Sequence, residues 1–150
     1  MTSMGRRFAY TFGCVAFLAA GFLLSGCNRS PYELAPVHGV VTVDDVPLFQ
    51  GKVMFMPVAL GENTNAGRPG IGKMDSEGKF RLTTFDENDG AIVGDHWAVV
   101  INVEEDLPKG VPEFARLTMP EKVAVVAGKD NQIDLKFTRD MVKKYREDDR

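Results

Sequence analysis

Cysteine, histidine and serine are scarce in this chain of 150 residues, which holds two cysteines and two histidines. No cysteine occurs beyond Cys27, and the only serines beyond it are Ser30 and Ser76. No Gly-x-Ser-x-Gly elbow is visible, so a Ser–His–Asp set would need Ser76 beside His38 or His96. Two histidines and a carboxylate could hold zinc, but no ligand pair has a recognised spacing. A basic excess is missing too. The 18 Lys and Arg stand against 21 Asp and Glu, a net charge of −3, which argues against nucleic acid as a partner. Internal repeats, low-complexity tracts and long helical periods inside the domain are absent. What is present is 44% hydrophobic residues with 15 Gly and 8 Pro. That is too apolar for a wholly disordered chain, and the length suits one globular domain rather than a large multidomain enzyme.

The first residues differ from the rest. Residues 1–7 hold Arg6 and Arg7 and no acid, and residues 8–24 carry no charge. A basic start, an apolar run and small residues before a cut site make the layout of a secretory signal; an uncleaved anchor helix is the alternative reading. The run ends in Leu24-Ser25-Gly26-Cys27, which resembles the lipobox of bacterial lipoproteins. The resemblance implies that Cys27 carries the lipid, a diacylglyceryl group with palmitate-type chains on its thiol, and becomes residue one after cleavage. Its nucleophilic sulfur takes the lipid, and the small residues before it let the backbone into the peptidase.

Removal of the signal takes the basic residues from 18 to 16 against 21 acids, a net of −5. With Cys14 removed and Cys27 acylated, no internal disulfide can form, so stability must come from the core alone. The expected organisation is a signal peptide over 1–26, a lipidated tether over 27–34, a domain over 35–137 and a charged tail over 138–150. The tether contains Pro31 and has little reach, which keeps the domain near its membrane. The expected address is the cell envelope, facing the periplasm or the exterior. Asn28 stands where an Asp would resemble an inner-membrane retention signal, which leaves the outer membrane open.

From Val37 onward the dominant period is two. Val37, Gly39, Val41 and Val43 form one alternating set; Val53 and Phe55, then Phe80 and Leu82, form others. Trp97, Val99, Ile101 and Val103 form a fourth, and Ile133, Leu135 and Phe137 a fifth. Such sets read as half-buried strands. Residues 121–126 suggest a shorter strand and 66–74 a weak, glycine-rich one. Turn signals separate them at Asp44-Asp45, Asp75-Ser76-Glu77-Gly78, Asp89-Gly90, Gly94-Asp95 and 128–131. Short strands with regular turns predict an all-β sandwich. Met141, Val142 and Tyr145 have helical spacing, which allows a short C-terminal helix.

Three blocks carry a second resemblance. The first runs from Val37-His38-Gly39-Val40-Val41 through Pro47-Leu48 to Val53-Met54-Phe55-Met56-Pro57. The second is Asp75-Ser76-Glu77-Gly78-Lys79-Phe80-Arg81-Leu82-Thr83-Thr84, and the third Asp89-Gly90-Ala91-Ile92-Val93-Gly94-Asp95-His96-Trp97. In this order they resemble the carboxypeptidase regulatory-like, or transthyretin-like, domains of small bacterial lipoproteins. The resemblance implies a prealbumin-like β-sandwich of about seven strands and no established catalytic activity, and no cofactor is expected. Two features depart from it. Pro120-Glu121-Lys122 runs straight into 123–126, and His96-Trp97 stands where the pattern has one aromatic.

The candidate sites have mostly structural readings. Asp75 and Gly78 fit a capped tight turn. The acidic run 86–90 offers oxygen ligands, but Gly90 falls at position five of an EF-hand template and Trp97 where its bidentate Glu should be. The glycine-rich 67–72 lacks the Lys and the strand-to-helix context of a phosphate cradle. His38 and His96 have the parity opposite their strands' large apolar members, which places both on outer faces or edges. The expected core is Val41, Phe55, Phe80, Leu82, Trp97, Val99, Ile101, Ile133 and Leu135. The function expected is a non-enzymatic binding or structural module, held to the membrane through Cys27. It would present the loops 59–70 and 104–119 to a protein or glycan partner. The competing reading is a metal-dependent or hydrolytic enzyme in the acidic loops.

Overall fold

Alternation over residues 37–43 builds the strand at the centre of one sheet, and the computed structural model shows how the others assemble around it. It describes residues 31–49, 51–59, 66–102 and 107–148, with side chains through Tyr145. The signal segment, Cys27 and residues 60–65 and 103–106 of the two expected loops lie outside this set.

The strands are β1 (Leu34–Ala35), β2 (Val37–Val43), β3 (Val46–Pro47), β4 (Gly51–Pro57), β5 (Gly70–Lys73) and β6 (Lys79–Arg81). They continue as β7 (Ala91–Ile92), β8 (Gly94–Asn102), β9 (Arg116–Thr118), β10 (Val123–Val125), β11 (Asn131–Gln132) and β12 (Leu135–Phe137). Helix α1 (Arg139–Asp148) follows. The described residues therefore form an all-β sandwich with one short C-terminal helix.

β2 is flanked by β6 and β3, antiparallel, and by β11 and β12, parallel. Its Val37, Gly39, Val41 and Val43 are buried, and His38, Val40 and Thr42 are half-buried. The second sheet runs β10-β8-β4-β5, with β9 also paired to β8. Ile71 and Thr83 exchange backbone hydrogen bonds of 2.8 and 2.9 Å, which joins the two sheets along the β5–β6 edge. The β2–β3 hairpin turns on Asp44 and Asp45, with φ of 47° and 63°. A two-residue turn needs positive φ at both centres, and short Asp side chains tolerate it.

Phe55, Phe137, Leu48, Leu82, Leu117 and Leu135 are among the largest fully buried side chains. Phe55 meets Phe80 with ring centroids 6.2 Å apart, and burying one such side chain contributes roughly 1.5–3 kcal/mol. Of the expected core, Val41, Phe55, Phe80, Leu82 and Leu135 lie in the main cluster, Val99 is buried outside it, and Ile133 packs against it. Helix α1 is too short to hold alone. It is held by buried Val142, by the Tyr145 hydroxyl donating to the Thr118 carbonyl at 2.6 Å, and by a 3.2 Å Arg139–Asp44 ion pair.

β8 reverses one expectation. His96, Ala98 and Val100 point inward, and Trp97, Val99 and Ile101 share the opposite face, where Val99 is still buried, Ile101 is half-buried and Trp97 is exposed. Trp97 keeps 38% of its surface and His96 none. The reason is that β8 is apolar on both faces, so alternation cannot tell them apart. Its partner decides. Phe55 faces inward and is opposite Ala98, whereas Met54 and Met56 are opposite Val99 and Trp97. The loop 104–119 is also less free than expected, because Arg116–Thr118 forms β9, and Leu117 and Phe114 are buried.

Candidate functional site

The acidic run after β6 is a knot of internal hydrogen bonds. The Asp89 carboxylate accepts from the backbone N–H of Thr84 at 2.6 Å, of Phe85 at 2.9 Å and of Asp86 at 2.8 Å. The Thr84 hydroxyl donates to the Gly90 carbonyl at 2.7 Å. Gly90 has φ of 93°, and a β-carbon there would strike the Ala35 carbonyl. Burial pushes the Asp89 carboxyl up, but the backbone N–H groups together outweigh it and hold it below the usual range. This carboxylate shapes a loop, with both oxygens engaged.

Asp75 has the same kind of role. Its Oδ1 accepts from the N–H of Glu77 at 2.8 Å and of Lys79 at 2.9 Å, and Gly78 follows with φ of 76°. The expected capped turn is present. Ser76 is exposed at its tip.

His96 is the one fully buried ionisable ring among the described residues. Its Nε2 donates to the Ile92 carbonyl at 2.6 Å, and the ring packs 5.8 Å from that of Phe55. Its Nδ1 is buried without a hydrogen-bond partner among the described residues. Burial pushes the imidazole down, and the Ile92 and Phe55 carbonyls and Asp95 pull it back by less. The ring is thus enclosed in the core.

His38 stands elsewhere, on the outer side of β2. Its Nδ1 lies 3.0 Å from Asp130 Oδ1. An open groove of about 510 Å³ lies beside it, lined by Lys73, Lys79, Phe80, Arg81 and Gln132 among others. Asp75 also lines it, but with its Oδ1 already engaged. Lys79 pairs with Glu77, which raises the Lys79 ammonium through the hydrogen bond and charge of that partner. Lys73 and Arg81 have no carboxylate partner among the described residues.

The two histidines lie in different places. His96 is inside, His38 is in the groove, and Ser76 is not among the groove's lining residues. Among the described residues no three His, Cys, Asp or Glu side chains cluster as a metal site, and no helix is long and apolar enough to cross a membrane. The groove was missed in the sequence, although the signal was there. Once the Asp75–Gly78 turn is placed, counting outward from it sets Lys73 opposite Arg81. Comparisons with protein-family models, with curated proteins and with solved structures find no match.

Proposed function

We propose that this chain is a non-enzymatic, lipid-anchored binding module of the bacterial cell envelope, built on a carboxypeptidase regulatory-like sandwich and held to its membrane through Cys27. The observation that carries the binding half is the contrast between two sets of polar groups. Asp75, Asp89 and His96 are the residues with the most constrained surroundings, and each one is engaged in holding a turn, a loop or the core. Lys73 and Arg81, by contrast, face an open groove and have no carboxylate partner among the described residues. Groups locked by their own backbone are poorly placed for proton transfer or metal binding, whereas unpaired cations on a rigid sheet suit recognition. The anchor half rests on the uncharged run 8–24 and Leu24-Ser25-Gly26-Cys27.

The test is a screen of the full-length protein, in detergent, against immobilised envelope glycans and proteins, with metal content measured on the same sample. Saturable retention by one partner class, without turnover of ester, peptide or glycoside substrates, is the expected result. A stoichiometric metal together with hydrolysis that its removal abolishes would establish the enzyme reading instead.

A further inference from the structure

Strand register lines up a row of cations that spans both sheets. Lys52 on β4 is directly opposite Lys73 on β5. The Ile71–Thr83 bridge and the Asp75 N–H to Lys79 carbonyl bond fix the β5–β6 register, and both set Lys73 opposite Arg81. Arg81 is opposite His38 on β2, and His38 is opposite Gln132 on β11. Paired residues share a face, so Lys52, Lys73, Arg81, His38 and Gln132 form one line across five strands. Lys52, Lys73, Arg81 and Gln132 are exposed and His38 is half-buried.

Like charges directly opposite each other destabilise a sheet. This row stacks three permanent cations in a chain whose net charge is −3. The nearby acids do not neutralise it. Asp75 turns one oxygen to two backbone N–H groups, Asp134 accepts from the Val40 N–H, Glu77 pairs with Lys79 and Asp130 with His38, so none of them forms an ion pair with the row's three cations. Among the described residues no carboxylate pairs with Lys52, Lys73 or Arg81. The groove is open and is lined by Lys73, Arg81, His38 and Gln132, and Lys52 continues the row beyond it on β4.

We propose that this row is a binding track for a linear anionic glycan, its carboxylates or phosphates seated on Lys52, Lys73 and Arg81. His38 and Gln132 would hydrogen-bond sugar hydroxyls at its far end. Strands lie about 4.8 Å apart, so the step from Lys52 to His38 covers about 14 Å. A track of that length favours an extended chain with repeated charges over a single small anion. Arg81 offers a planar fork that matches a carboxylate or phosphate in two-point contact, and the lysines act as point charges. The inference rests on the reading of the chain as an envelope binding module and names the ligand class of that module.

The experiment titrates full-length protein in non-ionic detergent with fluorescent oligogalacturonate, poly(glycerol phosphate), neutral dextran and oligo-dT. Anisotropy is followed at low and at moderate salt. One or both anionic glycans should bind, more weakly as salt rises, and dextran should not. The stronger of the two identifies the anion as carboxylate or phosphate. The double variant Lys73→Gln/Arg81→Gln should lose about tenfold or more in affinity, because two charge-assisted contacts go. Lys109→Gln/Lys144→Gln, which removes two cations off the row, should bind as the parent does. All four positions are exposed, and thermal melts of both variants matching the parent would separate lost binding from lost fold. Oligo-dT binding as tightly as the glycans, equal losses in the two double variants, or no glycan binding at all would overturn the track. The last result would remove the glycan track alone, and the module reading would then be decided separately by whether the screen retains a protein partner.

Discussion

Replacing His96 tests the packing at its least obvious point. The ring is fully buried against Phe55, with one hydrogen bond to Ile92 and an Nδ1 that has no partner among the described residues. His96→Ala removes a ring from a closed core and orphans the Ile92 carbonyl. By analogy with other large-to-small core changes, it should destabilise the domain by about 2–4 kcal/mol. His96→Phe fills the space and removes the unpaired nitrogen but orphans the same carbonyl, so its cost should be about 1–2 kcal/mol, below that of His96→Ala. The pH dependence gives a second handle. Because burial holds the folded imidazole below its unfolded value, the unfolded chain binds the proton first as pH falls. Stability is therefore full above about pH 6.5 and declines below it until the folded ring also protonates, with a slope of at most about 1.4 kcal/mol per pH unit. Urea melts read by circular dichroism and by Trp97, the one tryptophan, between neutral and mildly acid pH would measure both effects. The His96→Phe variant should lose this part of the slope. His96→Ala melting within about 0.5 kcal/mol of the parent, as an exposed position would, would refute the inward placement, as would an unchanged slope in His96→Phe.

Phe55→Ala should cost about 3–5 kcal/mol in the same melts, enough to threaten folding at this size. Asp89→Ala strips three backbone N–H groups of their acceptor and should cost about 1–3 kcal/mol. Because the folded Asp89 carboxyl lies below its ordinary value, its share of the parent's stability is present above about pH 4 and is lost as pH falls through the folded value. A parent-minus-variant difference that persists undiminished at pH values well below that range would contradict the knot. Tyr145→Phe removes the hydrogen bond to Thr118 and should lower stability by about 0.5–1.5 kcal/mol, with faster amide exchange in α1 as the readout.

What could be read ahead of the structure depended on how one-sided each strand is. β2 sets buried Val and Gly against half-exposed His, Val and Thr, and the Asp75–Gly78 turn carries its own cap, so both were legible from local chemistry. β8 was recognisable as a strand but not oriented, because Val99 and Ile101 make its outer face as apolar as its inner one. The bulk of Trp97 pointed the wrong way, and only pairing with β4 resolves it. β9 was invisible because three residues between Pro112 and Pro120 show no period, and their strand state comes from hydrogen bonding to β8. The cationic row belongs to a third kind. Each of its residues looked like an ordinary exposed charge. Their alignment comes from the register of five strands far apart in the chain, and only the β5–β6 part of it follows from a turn.

The account depends most on where the sandwich is held, since the partner class follows from the envelope. The most direct measurement is the intact mass and N-terminal peptide of the full-length gene product recovered from bacterial membranes, beside Cys27→Ser. The parent should begin at Cys27 with a diacylglyceryl mass on its thiol, and the variant should keep residues 1–26 and carry no lipid. A parent that retains residues 1–26, or a variant that matures at the same site and remains acylated, would contradict it.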